Sequence, residues 1–169
     1  MSADAVSPSG PGGPGTDSAA GLDETDRAII AELVRDGRTA VRALAETVHI
    51  SRANAYARIA RLQAQGAILG FTARLDPVKA GLGTTAYISL TIDQNAWRTV
   101  SEGLRTVPYI ESFALVGGDY DVLALVRTPD NTDLRRIVLE RIREIPGVRS
   151  TRTWLVFEEA QGKGVDWTG

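Results

Sequence analysis

No cysteine occurs in this chain, histidine appears once, as His49, and methionine once, as Met1. Disulfides, thiolate metal sites and cysteine nucleophiles are therefore excluded, and a single histidine cannot build a multi-histidine metal centre. Long apolar runs are missing too: no stretch approaches the roughly 18 residues of a membrane span. The opening Met1-Ser2-Ala3-Asp4 lacks the cationic and apolar regions of a signal peptide. These absences predict a cytoplasmic protein with no metal, no cofactor and no membrane partner.

An excess of basic charge is also lacking, since 19 basic residues face 21 acidic ones and the net charge is −2. Taken whole, that balance argues against a nucleic-acid binder. Its distribution argues the other way. From Thr47 to Leu75 the chain carries Arg52, Arg58, Arg61 and Arg74 and no acid at all, the local footprint expected of a phosphate-binding surface. A solvated basic helix face is the alternative reading of the same window.

Residues 1–21 are rich in Gly, Pro, Ser and Ala and predict a disordered tail, because they carry too little apolar surface to offset the entropy of ordering. Order is expected from Leu22. Asp23 can cap a first helix with Glu24 and Asp26 in its first turn, Ile29, Ile30, Leu33 and Val34 as its buried stripe, and Gly37 as its stop. A second short helix follows Thr39, with Val41, Leu44, Ala45 and Val48 inward. After a turn at His49-Ile50, Ser51 caps a third helix striped by Ala55, Ile59 and Leu62 and ended by Gly66. Three short helices with so tight a turn between the last two predict a helix-turn-helix over 22–66. Residues 67–82 read as a wing or linker strand, broken at Asp76-Pro77.

Beyond Gly83 the periodicity changes. Ala86, Ile88, Leu90 and Ile92 alternate as in a strand, and Trp97, Val100, Leu104 and Val107 have helical spacing. Two strands, Tyr109–Val116 and Tyr120–Arg127, flank Gly117-Gly118-Asp119. Leu134, Ile137, Val138, Ile142 and Ile145 form another helix stripe, ended by Pro146-Gly147, and Val148–Glu158 is a last strand. The order β-α-β-β-α-β over 83–159 predicts a ferredoxin-like α+β domain, followed by a C-terminal tail over 160–169. Val122–Val126 is apolar on both faces, and a second copy of the chain is the natural cover for the face without helices.

Two constellations carry candidate chemistry. With the third helix's stripe facing inward, Ala53, Asn54, Ala57 and Arg61 point outward, with Arg52, Tyr56 and Arg58 on the flanks. Arginine and asparagine can pair with base edges in the major groove, and Ser51 at the helix start suits a phosphate. Arg38 and Thr39, before the second helix, join Ser51, Arg52, Ala53, Asn54, Tyr56, Arg58 and Arg61 as candidate DNA contacts. The other constellation is Gly117-Gly118-Asp119-Tyr120-Asp121. Its glycines permit positive φ and close approach of a ligand, and its two carboxylates suit an ammonium group. An ordinary hairpin turn explains the same residues. Trp154 is either core or the wall of a pocket, and His49 is read as a turn residue, with no acid or nucleophile beside it.

These residues resemble the Lrp/AsnC (feast/famine) transcriptional regulators. The resemblance rests on Leu22-Asp23-Glu24-Thr25-Asp26-Arg27, Asp36-Gly37-Arg38, Leu44-Ala45, Ser51, Arg58-Ile59, Leu62 and Gly66-Ala67-Ile68 running into Phe71-Thr72-Ala73. It continues through Val116–Asp121 and Val148–Thr153, so that it covers about residues 22–159. What it implies is a winged-type helix-turn-helix joined to a RAM-type βαββαβ domain, and a homodimer assembling further into tetramers or octamers. It also implies an amino acid or related effector bound between dimers near Gly118–Asp121, with last-strand residues of a neighbouring subunit, such as Thr153 and Trp154, beside it. Two departures stand out. His49 takes the place of a usual glycine, and Ala40 replaces a usual serine cap, leaving Thr39 to cap the second helix. Two competing functions fit the same architecture: a siroheme-decarboxylase-like enzyme, disfavoured because residues 81–169 hold no histidine, and a ligand-sensing module that has lost DNA binding.

Overall fold

The computed structural model describes residues 21–167. It divides into a helical unit reaching Thr72 and an α+β unit, Ala73–Gly162. All but the last residue of the expected N-terminal tail lies outside the described residues.

The helical unit contains α1 (Glu24–Arg35), α2 (Val41–Thr47) and α3 (Arg52–Ala64). Asp23 caps α1 in a reciprocal box. Its carboxylate accepts the Asp26 N–H at 2.8 Å, and the Asp26 carboxylate accepts the Asp23 N–H at 3.1 Å. Ser51 caps α3 by accepting the Asn54 N–H at 3.2 Å. Gly66, at φ +74°, ends α3 in the left-handed conformation that glycine adopts most readily. Ile29, Ile30, Leu44 and Leu62 form the core, with Leu33, Val48, Ile50, Ile59 and Ile68 packed against it.

Three expectations need correction here. Val34 is 63% exposed and does not belong to the buried stripe; positions 29, 30, 33 and 34 together span more of the helix circumference than this small core covers. Thr39 does not cap α2, whose N-cap position is Ala40, which supplies no side-chain cap. No strand forms within 67–82. Leu69, Phe71 and Leu75 keep the alternation of a strand but stand exposed, because a strand needs a neighbour for its hydrogen bonds. Asp76 instead closes a turn, accepting the Lys79 N–H on its side chain and the Ala80 N–H on its backbone.

The second unit runs β1 (Thr84–Ile92), α4 (Trp97–Thr106), β2 (Ile110–Leu115), β3 (Val122–Thr128), α5 (Asn131–Arg136, continuing as π-helix through Ile137–Ile142) and β4 (Val148–Leu155). The strands lie in the order β2-β3-β1-β4, all neighbours antiparallel, as the split βαβ reading predicts. On one face Ala86, Ile88, Leu90, Val122, Ala124 and Val126 are buried under Val100, Leu104, Leu134, Ile137, Val138 and Ile142 of the helices. The opposite face carries Tyr87, Ser89, Leu123, Leu125, Arg127, Arg152 and Trp154, because side chains alternate along each strand. The final strand stops at Leu155, short of Glu158, and no helix or strand follows as far as residue 167.

Candidate functional site

The turn between α2 and α3 fixes how α3 is presented. Its backbone closes a Schellman motif: the Ile50 N–H donates to the Ala45 carbonyl at 2.9 Å, and the His49 N–H to the Glu46 carbonyl at 3.4 Å. His49 occupies the left-handed position of that motif, with φ +55°. Glycine adopts this conformation freely, whereas a residue with a Cβ is strained there. His49→Gly is therefore expected to stabilise the protein by roughly 0.5–1 kcal/mol, part of the relieved strain being offset by a more flexible unfolded chain. Chemical denaturation would check it, and a loss of stability would show that the imidazole makes a compensating contact.

At the start of α3, Ser51, Arg52, Ala53, Asn54, Tyr56 and Ala57 are all exposed, while Ala55 and Leu62 are buried. Arg38 is exposed and Thr39 half-buried before α2. Arg61, expected to point outward, and Arg58, expected on the flank, both turn to α1 instead. Arg58 Nη1 donates to both Asp23 carboxylate oxygens, at 2.8 and 2.6 Å, and to Asp26 Oδ1 at 2.8 Å. Arg61 Nη2 reaches Asp26 Oδ2 at 2.5 Å. These two arginines bind α3 to the first turn of α1, so half of the four-arginine window is neutralised within the fold. Burial pushes the Asp26 carboxyl up, but hydrogen bonds from Arg61 and Arg58 outweigh it and hold it below the usual carboxylate range. The Arg58 hydrogen bond, helped by the Asp26 N–H, lowers Asp23 likewise. In turn, Asp23 first and Asp26 second raise Arg58.

The second constellation forms a loop from Val116 to Asp121, closed by the Val116 N–H donating to the Asp121 carbonyl at 2.8 Å. Gly118 sits at φ +135°, and a Cβ on Gly117 or Gly118 would meet no atom within 4 Å, so the space above both glycines is open. Asp119 is exposed and Tyr120 half-buried. Tyr120 packs on Trp154 at 5.7 Å between ring centroids, which joins the loop to β4 on the helix-free face.

One expectation for this loop changes. Asp121 is committed to the fold: its Oδ2 accepts the Ile92 N–H at 2.8 Å and its own N–H donates to the Leu90 carbonyl. It thus extends the β1–β3 pairing by one rung, and Asp119 is the carboxylate left facing solvent. Thr153 pairs with Ile88 and Trp154 with Tyr87, so their side chains emerge on opposite faces. Within one copy it is Trp154 that meets Tyr120.

Two contributors escape sequence reasoning. Asp26, with no exposed surface, is the hub of the α1–α3 ion pairs, and the signal was available: acids at 23 and 26 match arginines at 58 and 61 in the same i,i+3 spacing. Tyr87 adds a third aromatic ring beside Trp154, found only once the register is known. Among the described residues no group of three or more metal-binding side chains occurs, and no helix is long and apolar enough to cross a membrane.

Residues 22–63 match the AsnC-type helix-turn-helix domain, and residues 85–164 match the Lrp/AsnC ligand binding domain. The chain is 38% identical to the HTH-type transcriptional regulator AldR of Mycolicibacterium smegmatis over 156 residues, covering 90% of this chain and 91% of AldR. It is 33% identical to the leucine-responsive regulatory protein of Escherichia coli K12, covering 83% and 87% of the two chains. A transcriptional regulator of Neisseria meningitidis, solved as its L-Met complex, superposes with a TM-score of 0.76 at 26% identity, over 83% of this chain and 93% of that one.

Proposed function

Because the chain belongs to the Lrp/AsnC family of DNA-binding transcriptional regulators, we propose that it reads operator DNA through the exposed N-terminal face of α3. We further propose that it tunes this binding through an amino acid or related effector held at the Val116–Asp121 loop. The observation that carries the first part is the set Ser51, Arg52, Asn54 and Tyr56, all exposed, with Ala53 and Ala57 small enough for close approach. A recognition helix contacts base edges with its N-terminal residues, and the Ser51 end of α3 can also hold a phosphate. Arg38 and Thr39 are proposed as supporting contacts to the backbone. For the effector, the open space over Gly117 and Gly118 admits a carboxylate to backbone N–H groups, Asp119 takes the ammonium, and Tyr120 with Trp154 forms an aromatic wall. The protein works in the cytoplasm as a homodimer or a larger closed assembly, packed through the helix-free sheet face.

The test has two arms. In gel shifts on the protein's own upstream DNA, Asn54→Ala and Arg52→Ala should each cost roughly 1–3 kcal/mol on the preferred site, with little change on unrelated DNA. Wild-type affinity in both variants would remove α3 as the reader. In a thermal-shift screen against the common amino acids, a ligand that stabilises wild type should fail on Asp119→Ala, since only binding to the folded state raises the transition. A full response in that variant would move the effector elsewhere.

A further inference from the structure

The Asn54 side chain is held from within the fold. Arg58 Nε lies 3.1 Å from Asn54 Oδ1, one helical turn away on α3. An arginine Nε–H can only donate, so the group facing it must be the amide oxygen, and the NH2 is left directed away. Arg58 is itself fixed: its Nη1 sits between the Asp23 and Asp26 carboxylates, and its side chain is only 22% exposed. The chain of contacts runs from the first turn of α1, through Arg58, to a side chain on the exposed start of α3.

We propose that Arg58 determines base specificity without touching DNA, by holding Asn54 so that it presents its NH2 to the major groove and selects guanine. An asparagine with both amide groups available pairs with adenine, accepting from N6 through its oxygen and donating to N7. Oδ1 committed to Arg58 disfavours that pairing. The outward NH2 has two hydrogens to give, and guanine offers two acceptors, N7 and O6, on one edge. Asp23 and Asp26 are positioning residues in this scheme, because they hold the guanidinium that holds the amide. The proposal rests on the assignment of α3 as the reading helix.

The test is binding-site selection by the full chain from a randomised duplex pool, followed by affinities for single-base variants of the selected site. Asn54→Ala first identifies the base pair that depends on Asn54. At that pair, wild type should prefer guanine over adenine by about tenfold. Arg58→Lys keeps a cation beside Asp23 and Asp26 but has no Nε–H, so the preference should fall to about twofold or turn to adenine, with other positions unchanged. Its salt dependence should equal that of wild type, since Arg58 makes no phosphate contact. A wild-type preference for adenine at that pair overturns the proposal even if Arg58→Lys fails to fold. An unchanged guanine preference in folded Arg58→Lys overturns it too, while leaving α3 as the reader. If Asn54→Ala alters no base preference, the proposal and the assignment of Asn54 as a reading residue fall together.

Discussion

Replacing Asp26 by alanine should destabilise the helical unit by about 2–3 kcal/mol, below the 3–5 kcal/mol lost when a fully buried ion pair is broken. The discount reflects the guanidiniums of Arg58 and Arg61, whose side chains are 22% and 38% exposed and can turn partly to water. What remains is the loss of hydrogen bonds from both arginines and of one arm of the capping box. An exposed pair supplies the contrast: Arg42→Ala, which releases only Glu46, should stay within about 0.5 kcal/mol of wild type. The acid limb supplies a second measurement. Asp23 and Asp26 titrate below their ordinary value, so their stabilisation is complete above about pH 4, the unfolded-chain value, and is lost as pH falls through the lower folded values. Asp26→Ala should therefore flatten the decline of stability below about pH 4. A variant as stable as wild type, with the same acid limb, would mean that the α1–α3 ion pairs contribute nothing.

The same cluster marks where reading the sequence fails. Charge counted along the chain sees Arg52, Arg58, Arg61 and Arg74 without an acid among them, but the partners of two of these lie 32 to 35 residues earlier. Local patterns fared better wherever one local cause decides the outcome. Asp23 and Ser51 cap their helices because a side-chain oxygen meets N–H groups two or three residues on. Ala86, Ile88 and Leu90 alternate because one sheet face is buried and the other is not. The segment 67–82 has a strand's alternation, yet pairing is a property of two segments, and among the described residues no second segment pairs with it. Thr153 and Trp154 come from the resemblance alone, and the two-residue period of a strand sends their side chains to opposite faces. Asp121 looked like a ligand group, since a short acidic side chain beside glycine suits either an ammonium group or a nearby backbone N–H. Only the register of β1 against β3, which places Ile92 within reach, decides for the N–H.

The helix-free sheet face carries the largest expected effect. Leu123, Leu125, Tyr87, Tyr120 and Trp154 share it in each copy, and Trp154 stays 44% exposed. Leu125 pairs with Tyr87 across the inner strands β3 and β1, far from any edge where water could relieve a charge. If two copies pack these faces about a two-fold axis, each interface contains position 125 twice, so Leu125→Asp places two carboxylates in it. A single central residue of this kind is worth about 2 kcal/mol or more, so the pair should weaken association roughly 1,000-fold. The domain itself should still fold, because Leu125 projects from the side opposite the core of Ile88, Val122 and Val126. Leu139→Asp, on the helical side and already 41% exposed, gives the control and should leave assembly unchanged. Sedimentation at micromolar concentration would then show Leu125→Asp as a folded monomer beside an oligomeric wild type and Leu139→Asp. Operator affinity should drop with it, since a monomer engages one half-site where a dimer engages two one helical turn or a multiple apart. If Leu125→Asp sediments as wild type does, or Leu139→Asp is the variant that dissociates, the copies meet through another surface.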